Sequence, residues 1–345
     1  MNNKTGKLTI IGCGGAGINL GITTHNTLKE LGEGYSEVDI ELLDTTHKTI
    51  HNYTDFIPKF TKITTDRIAT SQIDGAGGEK KDMDLATDIF TFLKGYLDKK
   101  KFENNKNNYY VIMCSASGGS GGNIASLLTG FMLSKGYNVI VATIGDSSNY
   151  LNLKNTIHTI RTLQKAALSN KKALCVIYYN NTVKNNTTVT SEENVNKKII
   201  TLLSTISVFT SGTLTGVDDQ DMINFFNATN YTTFTVPPGI YSIGINVGTL
   251  GDVDTLMSRT IISDKEAVDI QVPLFHNKTS VIPAKLASTY KQYPLYLLFR
   301  KNILQKETKI LNAELIKMDE LLQVEYDPFD DIDLNDDITG LGILQ

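Results

Sequence analysis

Three clusters of small residues stand where apolar, strand-like runs give way to helical patterns. The first, Gly12-Cys13-Gly14-Gly15-Ala16-Gly17, follows the apolar run 8–11 and matches G-x-G-x-x-G. Backbone amides approach a phosphate closely only where no Cβ intervenes, and a helix start favours an anion. Alone, the motif points first to a dinucleotide-binding unit in which Asp44, at the end of the next strand, takes the ribose; tight strand-to-helix packing without a ligand is the other reading. The second cluster, Ser115-Ala116-Ser117-Gly118-Gly119-Ser120-Gly121-Gly122, follows the apolar run 109–114 and precedes a helix expected to open at Asn123. It reads as a second phosphate cradle on the same sheet edge, so that two loops would embrace a di- or triphosphate from two sides. A nicotinamide-dependent dehydrogenase needs only one such loop, and the Walker signature G-x-x-x-x-G-K-[ST] does not occur. The third cluster, Gly75-Ala76-Gly77-Gly78, lies in a polar stretch and reads either as a mobile loop reaching a terminal phosphate or as a flexible turn.

The elements that must position these loops follow from periodicity. Strand runs at 8–11, 38–43, 109–114, 139–144 and 173–179 alternate with helical patterns at 18–31, 83–97, 124–133 and 151–168. Runs apolar on both faces and separated by helices mean a parallel sheet covered on both sides, with ligands at the carboxyl ends of its strands. A polar Asn/Thr-rich loop at 181–190 leads into a long helical pattern at 191–209. Beyond it, runs at 231–236, 241–247, 268–274 and 295–299 read as strands of a second, mixed sheet, and 303–324 as a final helix.

Composition narrows the class. The chain has 345 residues, 41% hydrophobic and 20% charged, which suits a globular protein of two domains or one large one. The three cysteines, Cys13, Cys114 and Cys175, are odd in number, far apart and set in apolar runs. That fits small core residues in a reduced compartment better than a disulfide framework or a zinc site. The chain enters its first strand with no signal-peptide pattern, and no apolar run approaches the ~20 residues that span a bilayer, so a soluble protein with no membrane partner is expected. Net charge is −4, yet no Lys or Arg follows Lys317, whereas nine acids do: Asp319, Glu320, Glu325, Asp327, Asp330, Asp331, Asp333, Asp336 and Asp337. The body is thus mildly basic and the tail acidic, which suggests either docking of the tail on a basic surface, in cis or in trans, or a solvated solubility element. The stretch from Asp331 begins like a calcium loop but has Asp336 where a glycine is needed and Gly342 where a glutamate is needed.

Taken in order on this strand–helix alternation, the three glycine loops resemble the tubulin/FtsZ superfamily. The family signature [S/A/G]-G-G-T-G-[S/A]-G is similar to Ser117-Gly118-Gly119-Ser120-Gly121-Gly122-Asn123, with Ser120 keeping the hydroxyl of the usual Thr and the last two positions departing. The resemblance implies GTP or GDP with Mg²⁺ as cofactors and no metal ion ligated by the protein itself. It implies phosphate and sugar contacts from Gly12, Cys13, Gly14, Gly15, Asp44 and the loop Gly75-Ala76-Gly77-Gly78, and from Ser117 through Gly122. It also implies a sugar contact from Asn180 and base-side contacts from Asn19 and Asn194. An Asn amide offers a donor and an acceptor to a purine edge.

After the long helix, Gly216-Val217-Asp218-Asp219-Gln220-Asp221-Met222 resembles the family's N-V-D-x-x-D-V loop, with Gly216 for the usual Asn. In the family this loop enters the nucleotide pocket of the next subunit, and its acids polarise the attacking water. Phosphoryl transfer asks for an in-line water and charge neutralisation, and Asp218 and Asp221, three apart at a helix start, can hold a water network on one face. They also suit the N-cap and first turn, where the helix dipole favours acids.

Within the superfamily the chain looks most like the phage-encoded tubulins of the PhuZ group, on Gly75-Ala76-Gly77-Gly78-Glu79-Lys80, on Cys114 through Gly121, on the Asp146-Ser147-Ser148-Asn149 stretch and on the acidic tail. The implied fold is α/β and tubulin/FtsZ-like. It comprises a parallel GTPase sheet with helices on both faces (1–190), a central helix (191–211), a second α+β domain with a mixed sheet (212–302), a C-terminal helix (303–325) and an acidic tail for subunit contact (326–345). The implied activity is polymerisation-activated GTP hydrolysis in a head-to-tail homopolymer within the infected bacterial cytoplasm. Phage DNA or capsids would be indirect cargo, with no direct nucleic-acid binding. A plasmid-segregating TubZ-like filament protein is the near alternative, and an NAD-dependent oxidoreductase the distant one.

Overall fold

Strand β1 (Lys7–Cys13) shows why this chain makes a covered parallel sheet. Its side chains alternate between two separate cores: Leu8 and Ile10 enter one, Ile11 and Cys13 the other. A strand buried on both faces must lie inside a sheet with helices above and below. The computed structural model describes residues 6–64, 83–100, 102, 108–181, 192–230, 236–248, 254–262, 273, 277–282, 286, 294–300 and 303–323.

In the parallel half, β1 is followed by α1 (Gly14–Leu31), β2 (Glu37–Asp44) and the short edge strand β3 (Phe60–Lys62). Helix α2 (Met83–Lys100), β4 (Asn108–Ser115), α3 (Gly119–Ser134), β5 (Asn138–Gly145), α4 (Tyr150–Ser169) and β6 (Ala173–Asn180) complete it. Helix α5 (Glu192–Thr210) leads to the short α6 (Asp219–Phe226), and then come β7 (Gly239–Val247), β8 (Thr255–Ile262), β9 (Asn277–Val281), β10 (Leu295–Arg300) and α7 (Ile303–Gln323). Ile18, Leu20 and Ile22 of α1 share one core with Ile199, Leu202, Leu203 and Ile206 of α5. Ile89 and Leu93 of α2 share the other with Ile124, Ala125 and Leu128 of α3. Each of these Leu and Ile side chains contributes about 1.5–3 kcal/mol by leaving water, so the two helix layers hold the sheet between them.

Among the described residues the strands form one ten-stranded sheet in the order β3-β2-β1-β4-β5-β6-β7-β10-β8-β9. The strands from β3 to β7 run parallel, β10 is antiparallel to both β7 and β8, and β9 is parallel to β8. The mixed half expected from the sequence is therefore continuous with the parallel half, because β7 pairs with β6 from Ala173↔Gly239 to Val176↔Ser242. Beyond that point the two strands part. The expected strand at 268–274 falls, apart from Pro273, outside the described residues, as does that at 231–236 apart from Val236. Among the described residues the mixed half uses β7, β8, β9 and β10.

Helix α5 connects the two ends of the sheet. At its start Lys198 lies 5.8 Å from the ring centre of Tyr179, near the carboxyl end of β6. At its finish Ser207 and Thr210 bond Ser36, just before β2, and the Ser211 carbonyl accepts from the Gly6 amide at 3.2 Å, just before β1. Its 19 residues correspond to about 28 Å of helix, enough to run the full length of the strands beneath it.

Candidate functional site

The first two glycine clusters meet because β1 and β4 are parallel neighbours. Gly14 has φ +70, and a Cβ there would lie 2.6 Å from the Cα of Gly121; a Cβ on Gly121 would lie 2.6 Å from the carbonyl oxygen of Cys13. No side chain larger than hydrogen fits between the two loops, so these glycines answer to packing. Gly12 likewise backs onto the Gly17 carbonyl and lies beneath the cleft rather than on its wall. Gly118 has its nearest neighbour at 3.7 Å and Gly15 meets only the Thr49 hydroxyl. Neither backs onto main chain closely, Gly15 meeting only that side-chain hydroxyl, and both line a cleft of about 500 Å³.

Helices α1 and α3 both open onto that cleft. Neither has a side-chain hydrogen bond at its N-cap, Cys13 or Gly118, and neither has an acid in its first turn. Each leaves first-turn amides pointing at one space, and their dipoles add there. Helix α3 starts at Gly119, not at Asn123 as the composition suggested, so Ser120, Gly121 and Gly122 are helical and the cradle is the first turn itself. Gly118, Gly119, Ser120 and Gly121 line the cleft with Cys13, Gly14 and Gly15, whereas Gly122 is buried behind them. Ser117 is turned aside: its hydroxyl pairs with Ser115 at 2.9 Å and its carbonyl accepts from Asn155 at 3.0 Å. Asp44 lines the cleft although it is buried, and one of its oxygens accepts from the Thr45 amide at 2.7 Å. The Thr45 hydroxyl in turn meets Ser120 at 3.0 Å, joining the loop after β2 to the start of α3. Burial, together with nearby Cys114 and Asp44, pushes the Cys13 thiol well above its usual range, so it presents an inert S–H.

Sequence reasoning missed Lys48 and Thr49, which share the cleft wall with Asp44 and Thr46. Their signal was a Lys four residues after Asp44 in a Thr-rich stretch, visible only once β2 is known to end beside β1. Among the sugar- and base-side expectations, Asn19 is exposed on the second turn of α1 and Asn194 on the first turn of α5. Asn180 ends β6 and bonds Ser147 at 3.3 Å and also Glu307 of α7. It opens onto a separate cavity of about 420 Å³, where β6 and β7 part. Burial pushes the Glu307 carboxyl up there, with the Asn180 bond opposing and Glu314 adding to the rise. The cluster Gly75-Ala76-Gly77-Gly78 and the tail 326–345 lie outside the described residues.

Asp218 and Asp221 are at the other end of the molecule. Asp218 caps α6, accepting from the Asp221 amide at 2.8 Å, while the Asp221 carboxylate accepts from the Asp218 amide at 3.3 Å. Asp218 and Asp219 are exposed. Helix α6 packs where the strands begin: Phe226 lies 5.3 Å from the ring of Tyr109 at the start of β4, and its carbonyl accepts from Cys175 Sγ at 3.4 Å. Burial and the charge of Asp219 together push the Tyr109 phenol up. Strands of seven and eight residues, about 3.3 Å each, put roughly 25 Å between these carboxylates and the glycine cleft. Among the described residues no cluster of three or more His, Cys, Asp or Glu is placed to hold a metal, and no helix is long and apolar enough to cross a membrane.

A parallel sheet ordered 3-2-1-4-5-6, with two glycine loops at one edge and a long helix leading to a mixed half, defines the tubulin/FtsZ-like fold. The chain is similar to TubZ from bacteriophage PhiKZ in its protofilament (TM-score 0.75, 17% identity, 95% of this chain and 96% of that one). It is similar also to the PhuZ201 filament protein (TM-score 0.72, 19% identity, 96% of each chain) and to the GDP-bound phage tubulin PhuZ (TM-score 0.73, 18% identity, 91% and 92%). At these identities the likeness speaks for the fold. No protein-family model matches the sequence, and no curated protein matches it.

Proposed function

We propose that this chain is a GTPase of the tubulin/FtsZ superfamily, nearest the phage-encoded group, which assembles head to tail and hydrolyses GTP where one copy meets the next. One observation carries the reading: the anion-seeking cleft and the paired carboxylates lie on opposite ends of one sheet, roughly 25 Å apart. Within one molecule they cannot meet. In a stack of copies sharing the strand axis, the α6 turn of one copy faces the cleft of its neighbour, and each end completes the other.

The cleft fits a polyphosphate. Two uncapped helix starts, the open glycines Gly15 and Gly118, the Ser120 hydroxyl and Lys48 supply donors and positive potential. A single dinucleotide fingerprint would leave α3 without a ligand, which disfavours the oxidoreductase reading. Magnesium, when it arrives with the triphosphate, offsets the charge developing on the phosphate oxygens; Asp44 is the carboxylate among the cleft-lining residues. Asn19, Asn180 and Asn194 are proposed for the sugar and base side, and Gly75 through Gly78 for the terminal phosphate. Asp218 and Asp221, brought by the next copy, orient the attacking water, and the exposed Asp218 takes its proton as the bond from the water oxygen to the γ-phosphorus forms and the bond from that phosphorus to the GDP oxygen breaks. Residues 1–190 then act as the nucleotide unit, 191–211 as the connecting helix, 212–302 as the unit presenting the acids, and 303–325 as the helix that leads to the tail. The tail 326–345, concentrated in acid, is proposed as a longitudinal contact on the basic body of a neighbour. Phage DNA positioned in an infected bacterium is the proposed cargo, through partners rather than direct contact; the phage origin named for the similar filament structures supports it.

The test is pelleting of the purified chain at rising concentration with Mg²⁺ and GTP, against ATP and no nucleotide, with phosphate release measured in parallel. Polymer and phosphate release that appear together above one concentration, with GTP alone, are expected. Phosphate release independent of chain concentration would overturn the shared-site reading.

A further inference from the structure

Arg259 heads the fully buried side chains of the described residues by size, an unusual place for a cation. It stands in the middle of β8, flanked by Ser258 and Thr260, with Met257 and Ile261 also enclosed. A guanidinium is stable out of water only where its charge and donors are met. Three of its contacts reach α6. Nη2 donates to the main-chain carbonyl of Asp221 at 2.7 Å and lies 3.9 Å from Asp221 Oδ1, and the guanidinium carbon is 5.5 Å from the ring centre of Phe225. From the adjacent strand β9, Lys278 brings its Nζ to 3.6 Å from Asp221 Oδ2. Both oxygens of Asp221 are thus engaged inside the chain, and the residue is largely enclosed, whereas its capping partner Asp218 is exposed.

We propose that Arg259, assisted by Lys278, is a positioning residue for the acidic turn: it grips Asp221 by main chain and side chain, and so presents the first turn of α6 to a neighbouring copy in one orientation. The inference rests on the reading of that turn as the group that acts on a neighbour's triphosphate. The geometry gives the grip its purpose. A water held for in-line attack tolerates displacements well under 1 Å, and a turn at the surface needs an anchor in the core to meet that tolerance. A main-chain carbonyl fixed by a buried cation is such an anchor, because it does not depend on a side-chain rotamer. The opposite end of α6 is held independently, by Phe226 against Tyr109 and by the Cys175 bond to its carbonyl, so loss of Arg259 frees the acidic turn and leaves the helix docked.

The experiment compares Arg259→Met, Arg259→Lys and Lys278→Met with the parent chain in two readouts. The first is amide hydrogen exchange over 218–226 in the unassembled protein. At least tenfold faster exchange is expected for Arg259→Met, confined to the first turn, with partial return in Arg259→Lys. The second is phosphate release per pelleted subunit. A tenfold or greater fall is expected for Arg259→Met with the pelleting threshold within twofold of the parent, a smaller fall for Arg259→Lys, and a two- to fivefold fall for Lys278→Met. Parent-like exchange in the first turn, or parent-like turnover in Arg259→Met filaments, would overturn the proposal. Should Arg259→Met not fold, the other two variants decide: parent-like values for both overturn it, and a graded fall supports it. If the parent chain itself neither pellets nor releases phosphate, the functional reading fails, and the exchange data still decide whether Arg259 holds the turn.

Discussion

At the carboxyl ends of β1 and β4, helices α1 and α3 begin with no side-chain cap and no acid. At the amino ends of the same sheet, α6 begins with three aspartates, of which Asp218 and Asp221 each bond the other's amide. A helix start has four amides in need of acceptors. Helix α6 meets part of that need from its own sequence; α1 and α3 leave it to whatever enters the cleft. The difference separates a surface built to receive negative charge from one built to present it. It also explains why the same residue type, glycine, is abundant at one pole while aspartate marks the other.

The largest expected effect tests the presenting pole. Asp218→Ala removes an exposed carboxylate and a cap, and is expected to lower phosphate release about a hundredfold while costing only about 1 kcal/mol of stability and leaving nucleotide affinity unchanged. Equal losses of binding and turnover, measured by equilibrium dialysis and phosphate assay, would break the division between the poles. Next, Gly121→Val forces a branched side chain against the Cys13 carbonyl; overpacking of this kind costs about 1–3 kcal/mol and will appear as a lower melting temperature with or without ligand. Gly118→Ala sharpens the contrast, because its Cβ meets nothing closer than 3.7 Å. Stability should stay within about 0.5 kcal/mol of the parent, and nucleotide affinity should fall about tenfold, or ~1.4 kcal/mol. A melting shift without an affinity change would assign Gly118 to packing after all.

The smallest effect concerns the frame away from the cleft, near the amino end of β2. Burial pushes the Asp39 carboxyl up, but the Lys59 bond at 2.8 Å, the Ile40 amide and Lys7 bring it below its ordinary value. The contribution of Asp39 is present above the unfolded carboxylate value of about 3.9, and is lost as pH falls through the lower folded value. Lys59→Met should therefore cost at most about 1 kcal/mol near neutral pH, since the pair is part-exposed, and nothing once Asp39 is protonated in both states. Thermal melts at neutral pH and at successively lower pH check this, the difference between variant and parent being expected to vanish in acid.

Much of the frame was legible in the sequence because buried parallel strands write themselves as apolar runs. The runs at 8–11, 109–114 and 173–179 lie inside β1, β4 and β6, and the helical pattern at 191–209 nearly coincides with α5. Strand β8 was not legible. Arg259 and three hydroxyl residues interrupt its apolar pattern, and a cation there makes sense once its contact with α6 is known. The start of α3 was misplaced for a related reason: Gly and Ser are poor helix formers, so a run of them reads as loop, whereas close approach to Cys13 and Gly14 requires them inside the first turn. The contrast between packing glycines and open glycines was invisible, because both share one motif. Lys48 escaped notice because its place depends on which strands are neighbours, a property of topology rather than of local pattern.

The enclosed thiols carry a practical consequence. The chain has 15 tyrosines and no tryptophan, so it lacks the usual optical reporter, but Cys13, Cys114 and Cys175 are all buried and reduced. Burial holds Cys13 and Cys175 in the unreactive thiol form, so an alkylating reagent consumes them only as often as the surrounding structure opens. Cys13 lies in the wall of the cleft, and Cys175 beneath α6. Their separate alkylation rates are two clocks, one at each pole, which read how a ligand at one end alters the opening of the other without any label being added.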